Sequence, residues 1–166
     1  MGLDATVGGS NSNSYVTRVE AITYFSDRLG AESIVEDTEP EKLDRALISA
    51  SLLLDFRMSW IGSKADENQS MDWPRVDSAG EPIYAVDTVP PKVKLAVYEM
   101  AKYLLQTGDP LDSAVLDSVQ VSSLKIDFKE TGVSRSLIPD EVASILSNYG
   151  QRMSARPTLR EVPVYR

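Results

Sequence analysis

Two stretches of this chain repeat apolar residues at helical spacing, and no other feature constrains its fold as strongly. The first runs from Pro40 to about Phe56, and the second opens at Pro90 and is ended by Gly108 and Pro110. Neither stretch has an internal Gly or Pro, so helix propensity agrees with the apolar pattern. The residues predicted to be buried are Leu43, Ala46, Leu47, Ala50, Leu53 and Leu54 on the first helix, and Val93, Ala96, Val97, Met100, Ala101, Leu104 and Leu105 on the second.

Two shorter helices are predicted from capping signals and shorter apolar patterns. Thr17, with Glu20 three residues later, matches a capping box, and Thr38 is the expected cap of the helix that begins at Pro40. The shorter patterns are Ala21, Ile22, Phe25 and Leu29, which Gly30 would end, and Val142, Ile145, Leu146 and Tyr149 after Pro139, which Gly150 would end. We therefore predict a mainly α fold, a small bundle of three to five helices.

A short β element and two extended arms complete the predicted organisation. Between residues 119 and 130 the apolar period changes to two, which indicates a half-buried strand or a hairpin around Leu124, Ile126 and Phe128. Residues 1–13 are small and polar, and they predict a flexible N-terminal arm. Residues 14–150 then form the helical domain. Residues 151–166 have no usable period and are predicted to be an extended C-terminal arm.

Both tryptophans lie in one polar connection between the two long helices, the segment Trp60–Arg75. Loops run over the surface and avoid large rings, whereas a buried tryptophan removes roughly 150–250 Å² from water. A structural loop anchor and a partner contact are both compatible with this pattern, since Trp and Arg also dominate binding hot spots. The residues singled out as the loop anchor are Trp60, Gly62, Trp73, Pro74 and Arg75.

The chain contains neither cysteine nor histidine, which removes the residues most used for nucleophilic catalysis and metal binding. No phosphate-binding glycine loop is present. Asp109, Asp112 and Asp117 lack the fixed spacing and closing glutamate of a calcium loop. We expect no enzyme activity, metal or cofactor, although a hydrolase that uses paired carboxylates is left open. No apolar run approaches 18 residues, so we expect no membrane span.

Charge is unevenly distributed along the chain. The net charge is −8, and residues 151–166 carry +3, which leaves −11 for the rest. An acidic body disfavours non-specific binding of nucleic acid, because that binding requires Lys and Arg at the phosphates. The basic arm could instead bind an acidic patch on another protein or another copy. Its candidate partner-interface residues are Arg152, Arg156, Arg160, Tyr165 and Arg166.

Several segments of the chain resemble one protein family. They are Ser14–Thr17, Glu20–Ala21, Tyr24–Phe25 and Arg28–Gly30 in the first helix, Ala46–Leu47 and Ala50 in the second, Trp60, Gly62, Gln69 and Trp73–Arg75 in the central loop, and Pro90, Val93, Ala96, Glu99 and Leu104 in the third helix. Residues 14 to 105 are in this respect similar to the head–tail adaptor proteins (connector or head-completion proteins) of tailed bacteriophages. The same sequence group is also labelled putative DnaT-like single-stranded-DNA-binding protein.

The resemblance implies a structural protein of the virion. Adaptors of this kind form a ring, typically of about twelve copies, beneath the portal protein at the head–tail junction. The ring extends the DNA channel, through which genomic DNA passes without specific binding, and it provides a docking surface for the tail. The implied partners are the portal protein, neighbouring adaptor subunits and a tail or tail-completion protein. Assembly is expected in the host cytoplasm, and the basic arm is expected to dock on the portal or on an adjacent subunit.

A single-stranded-DNA-binding module is the alternative interpretation, as the second label of the family suggests. Such modules combine a basic groove with aromatic rings on which bases stack. Trp60, Trp73 and Tyr84 are the candidate stacking residues, although the surrounding charge is unfavourable. A DNA affinity that falls steeply with salt would favour this alternative over the adaptor.

Overall fold

Five helices and four short strands follow one another in residues 2–107 and 137–153, the parts of the chain that the computed structural model describes. The helices are α1 (Arg18–Ser26), α2 (Glu32–Asp37), α3 (Pro40–Arg57), α4 (Pro91–Thr107) and α5 (Asp140–Ile145). The strands are β1 (Met58–Trp60), β2 (Ser63–Lys64), β3 (Arg75–Val76) and β4 (Gly150–Arg152). The fold is thus mainly helical with short strands, as the helical patterns predict. The strand predicted between residues 119 and 130 lies outside the described residues.

Helices α3 and α4 pack along each other and form the centre of the hydrophobic core. The six residues predicted to be buried on α3 are all buried, and of the predicted set on α4 only Leu105 is partly exposed. Helix α5 packs against α4, and Val142 and Leu146 join the same buried cluster. Burial of these apolar side chains is the main driving force for the fold, and it requires that the two long helices face each other.

The start of α1 is as predicted, but its end is not. The capping box is confirmed, because the Thr17 hydroxyl accepts from the Glu20 N–H (3.2 Å) and the Glu20 carboxylate accepts from the Thr17 N–H (2.8 Å). Helix α1 then ends at Ser26, and Leu29, which was predicted to be on its buried face, is 94% exposed. A residue beyond the helix end no longer shares its face. Ile22, which lies within α1 and was predicted on the same face, is 36% exposed, so the buried residues of α1 are only Ala21 and Phe25.

The region before α3 differs from the prediction in two ways. Thr38 does not cap α3, because Glu39 is at the N-cap position and makes no capping hydrogen bond through its side chain. The proline at the first turn of α3, Pro40, is confirmed. The short helix α2 was not predicted, since six residues give too few turns for an apolar period to be recognised.

Side chains join α1 to α4. The ring of Tyr24 stacks on that of Tyr98 with their centroids 4.5 Å apart, and the Tyr24 hydroxyl donates to the Glu99 carboxylate. Lys94 pairs with Glu20 at 2.6 Å. Glu20 therefore serves both the cap of α1 and the contact with α4, which fixes the position of α1 on the core.

Short antiparallel pairings give the central connection a defined structure. β1 pairs with β4, so that Trp60 is opposite Gly150, and β2 pairs with β3. A Cβ atom at Gly150 would lie 2.7 Å from the Ser59 carbonyl oxygen, so this glycine permits the close approach of the two strands. The sequence did not reveal these strands, because elements of two or three residues contain no detectable period.

The N-terminal segment, residues 2–16, lies against the chain's own central connection. The Asp4 carbonyl accepts from the Asn13 N–H (2.9 Å), and the Gly9 carbonyl accepts from the Ser70 N–H (3.1 Å). Where the sequence predicted a flexible N-terminal arm, the structure shows a segment folded back on its own subunit. Small residues allow this because their backbone groups come close enough to bond to one another and to the connection.

Two glycines with positive φ provide a matched test of the packing between the β1–β2 turn and β3. Gly62 (φ +69°) would place a Cβ 2.1 Å from the Val76 carbonyl oxygen, whereas Gly80 (φ +83°) has nothing within 4 Å. We expect Gly80→Ala to lower the free energy of unfolding by about 1 kcal/mol through backbone strain. Gly62→Ala should lower it by roughly 3 kcal/mol, because strain and overlap add. Urea denaturation measures both, and equal losses would contradict the packing described for Gly62.

Candidate functional site

The two tryptophans form a buried aromatic cluster. Trp73 is 1% exposed and Trp60 is 8% exposed. The Trp73 ring meets Trp60 edge-on at 5.9 Å between centroids and Tyr149 at 5.4 Å. Within the described residues neither indole N–H has a hydrogen-bond partner, so packing holds both rings in place. Of the three rings considered for base stacking, only Tyr84 is exposed, and the other two have no face available to a base.

Arg75 holds the ends of the Trp60–Arg75 loop together. Its guanidinium donates through Nε to the Ile61 carbonyl (2.7 Å), through Nη1 to the Asp72 carbonyl (3.1 Å) and through Nη2 to the Gly62 carbonyl. The planar fork of Arg spreads five donors over three nitrogens and can reach carbonyls that lie apart, whereas the three donors of a lysine all leave one nitrogen. Because these contacts occupy a buried side chain, Arg75 is not available to a partner.

Gln69 and Pro74 complete the inside of the loop. The Gln69 amide donates to the Met71 carbonyl (2.8 Å) and the Pro74 carbonyl (3.1 Å), and it accepts from the Asp66 N–H (3.1 Å). Pro74 is buried and follows a cis peptide bond. All five residues proposed as the loop anchor therefore lie in one region, and Gln69, which was noted only for its resemblance, satisfies the backbone groups between them.

A buried carboxyl cluster joins the N-terminal segment, α3 and the loop. The Tyr15 hydroxyl donates to the Asp55 carboxylate and accepts from the backbone N–H groups of Asp72 (3.0 Å) and Trp73 (3.2 Å). The Asp55 carboxylate also accepts from the Asp72 N–H (3.0 Å). Burial raises the pKa of Asp55 to about 7, and burial beside Asp55 raises the pKa of Tyr15 well above its usual range. No local sequence pattern indicates this cluster, because its members are far apart along the chain.

The predicted partner-interface residues are only partly within the described chain. Arg152 donates to the Ile138 carbonyl (3.1 Å) and pairs with the Asp140 carboxylate (2.6 Å), so it holds the start of α5 against β4. The others, Arg156, Arg160, Tyr165 and Arg166, lie outside the described residues. Arg152 thus contacts its own subunit.

The outward side of α3 combines cationic and apolar side chains. We call Lys42, Arg45, Leu52 and Phe56 the α3 row, because their spacing of three, seven and four residues places them on one helix face. All four are exposed, with Phe56 at 71%. At 1.5 Å per residue the row is about 21 Å long. The row was not predicted, because the apolar period of α3 marks its buried face and carries no signal for the exposed one.

Ion pairing leaves few cations free in the described residues, which contain 11 basic and 19 acidic side chains. Six of the basic residues are paired with carboxylates: Arg18, Arg28, Lys64, Arg75, Lys94 and Arg152. The remaining five are Lys42, Arg45, Arg57, Lys92 and Lys102. Three of these five lie on α3, more than on any other helix of the described residues, and Glu41 is an exposed carboxylate one turn before Arg45.

Membrane spans and metal sites were considered for residues 2–107 and 137–153. None of the helices there has both the length and the apolar content of a membrane span. No group of three or more Asp or Glu side chains is positioned there to hold a metal ion.

Comparison with known protein families gives a match over nearly the whole chain. A family model described as "Putative DnaT-like ssDNA binding protein" matches residues 2–161. No curated protein and no solved structure matches the chain. The match extends from the N-terminal segment through the loop, α4 and β4, so it covers every element described above.

The buried cluster predicts a pH-dependent stability. Because the pKa of Asp55 is about 7 in the fold and near 3.8 in an unfolded chain, only the folded state holds this proton between those values. The Asp55 contribution is therefore fully present below pH 4 and is lost as pH rises through 7, by on the order of 4 kcal/mol. Asp55→Asn, which carries no titratable group, should remove this part of the pH profile in urea denaturation.

Glu36→Gln is the matched control, because Glu36 is exposed on α2 and should leave the profile unchanged. Parallel profiles for the wild type and Asp55→Asn between pH 5 and 8 would show that the buried carboxyl does not bind this proton.

Proposed function

We propose a function from the family of this chain. The chain belongs to the family described as "Putative DnaT-like ssDNA binding protein", and we propose that it binds unpaired DNA along the α3 row. The match over residues 2–161 is the observation that carries the proposal. The α3 row supplies the chemistry that such binding requires, which is free cations next to an exposed aromatic ring. The role is one of binding, without catalysis.

The free cations of α3 would neutralise phosphates while Phe56 offers a face to a base. Lys42 and Arg45 lie on the row, and Arg57 lies at its end beside Phe56. Stacking on an aromatic ring tolerates any base, so the binding is expected to be independent of sequence. The acidic residues elsewhere repel phosphates and restrict a strand to this face. A strand that contacts only three cations and one aromatic ring is expected to bind weakly and over a few nucleotides.

Salt dependence tests the DNA-binding function. Fluorescence anisotropy with a labelled oligothymidine should give a slope of log affinity against log salt of about −2, since three phosphates are neutralised. Arg45→Ala should reduce the magnitude of that slope by about 0.7. Lys92→Ala is the control, because Lys92 is an exposed and unpaired cation on α4. Equal effects of the two substitutions, or no binding at low salt, would reject the α3 row as the DNA site.

A structural role at the head–tail junction of a phage is the second function that we propose. The observation that favours it is the acidic surface, since 19 acidic and 11 basic residues lie in the described chain. A ring of such subunits would present a negative channel wall, which repels phosphates and lets genomic DNA slide. The partners would be the portal protein, neighbouring subunits in a ring of about twelve copies, and a tail or tail-completion protein. The protein would then be part of the virion neck.

Particle mass and portal binding test the adaptor function. The protein mixed with portal should sediment as a ring-sized complex, and deleting residues 151–166 should weaken its attachment to portal in a pull-down. The deletion also removes Gln151 and Arg152, two of the three residues of β4, so deletion of residues 154–166 is the control that leaves β4 intact. Arg152→Ala in the full chain separates loss of the arm from loss of the Asp140 contact. A monomer without portal affinity would reject this role and would leave DNA binding as the function.

A further inference from the structure

A second exposed surface has the opposite composition to the α3 row. We call residues 77–87 the acidic turn. It carries the carboxylates of Asp77, Glu81 and Asp87 and contains no Lys or Arg. Tyr84 and Val86 are exposed beside these charges, at 37% and 53%. The acidic turn thus combines negative charge with apolar area, as the α3 row combines positive charge with apolar area.

The first half of the acidic turn is held in a single conformation. The Asp77 carboxylate accepts from the N–H groups of Ala79 (2.8 Å) and Glu81 (3.0 Å), and the Asp77 N–H donates to the Glu81 carbonyl (2.8 Å). The Ile83 N–H donates to the Arg75 carbonyl (3.0 Å), which ties the turn to β3. A surface that is already ordered loses little conformational entropy when it binds, so the turn is suited to docking.

We propose that the acidic turn of one copy docks on the α3 row of another copy of this chain. Charge complementarity identifies the occupant, because α3 carries unpaired cations and every charged residue of the acidic turn is a carboxylate. Leu52 and Phe56 would contact Tyr84 and Val86, and these apolar contacts would provide the affinity. Exposed ion pairs such as Arg45 with Glu81 contribute little energy and instead set the orientation and the rate of encounter.

The contact joins two different surfaces, so in a pair the first copy keeps its row free and the second copy keeps its turn free. Such heterologous contacts repeat from copy to copy, and they produce a ring or an open chain according to the angle between the surfaces. The contact uses only groups of the two copies, so the association does not depend on DNA binding.

One consequence of the contact rests on the proposed DNA-binding function. The acidic turn presents carboxylates next to the aromatic ring of Tyr84, and a single DNA strand likewise presents negative phosphates next to aromatic bases. The turn of a neighbouring copy and a DNA strand would therefore compete for the α3 row. Self-association should weaken when oligothymidine is added, and DNA affinity should fall as the protein concentration rises.

A charge swap tests the docking. Sedimentation equilibrium at low salt should show mass increasing with protein concentration. Arg45→Glu and Glu81→Arg, each alone, should lower the association constant roughly fivefold or more, since a like-charge contact replaces an attractive one. The double variant restores opposite charges and should return the constant to within about twofold of wild type. Both positions are exposed, and circular dichroism checks that each variant is folded.

The pair Glu36→Lys with Lys92→Glu is the control, because both residues are exposed outside the two surfaces and the net charge is unchanged. Failure of the double variant to recover, or a monomer at every concentration, overturns the proposal. A monomer that still binds oligothymidine would identify DNA as the occupant of the α3 row. Self-association with rescue but without DNA binding would support the docking and reject only the DNA-binding function.

Discussion

The hydrogen bonds of the Arg75 guanidinium to three loop carbonyls are the interaction on which the rest of this structure depends. They close the Trp60–Arg75 loop from inside and hold the chain where β1 turns into β2. A buried guanidinium without these acceptors would be strongly destabilising, since its charge and donors would be desolvated and unpaired. The closed loop then supports Trp73 at the centre of an aromatic cluster that Tyr149, from beyond α5, completes. Parts of the chain that are far apart in sequence are joined here.

The same loop organises the N-terminal segment. Tyr15 reaches the backbone of Asp72 and Trp73, and Asp55 reaches the same backbone from α3. A carboxyl enclosed in this way retains its proton near neutral pH, which is uncommon for an aspartate. Folding of the N-terminal segment, packing of the loop and the protonation state of Asp55 are therefore coupled, because one cluster contains a contact from each.

The surface divides into regions of opposite character once ion pairs are taken into account. Most cations of the described chain face carboxylates of the same subunit, and the unpaired ones are concentrated on α3. The acidic turn follows β3 and has no cation of its own. A chain with complementary surfaces of this kind is suited to contacts with an anionic ligand or with its own copies. Net charge alone would not reveal this, since a value of −8 says nothing about position.

Sequence by itself determined the long helices, because an apolar stripe of period 3.6 without Gly or Pro has one favourable arrangement, which is a helix buried on that side. It also determined the capping box at Thr17, which depends only on residues three apart. The tertiary structure alone decided the short strands, the closed loop around Arg75 and the Tyr15–Asp55 cluster. The Tyr15–Asp55 cluster joins residues 40 or more positions apart, and Arg75 bonds to carbonyls 13 and 14 positions before it; no periodic pattern encodes either kind of contact.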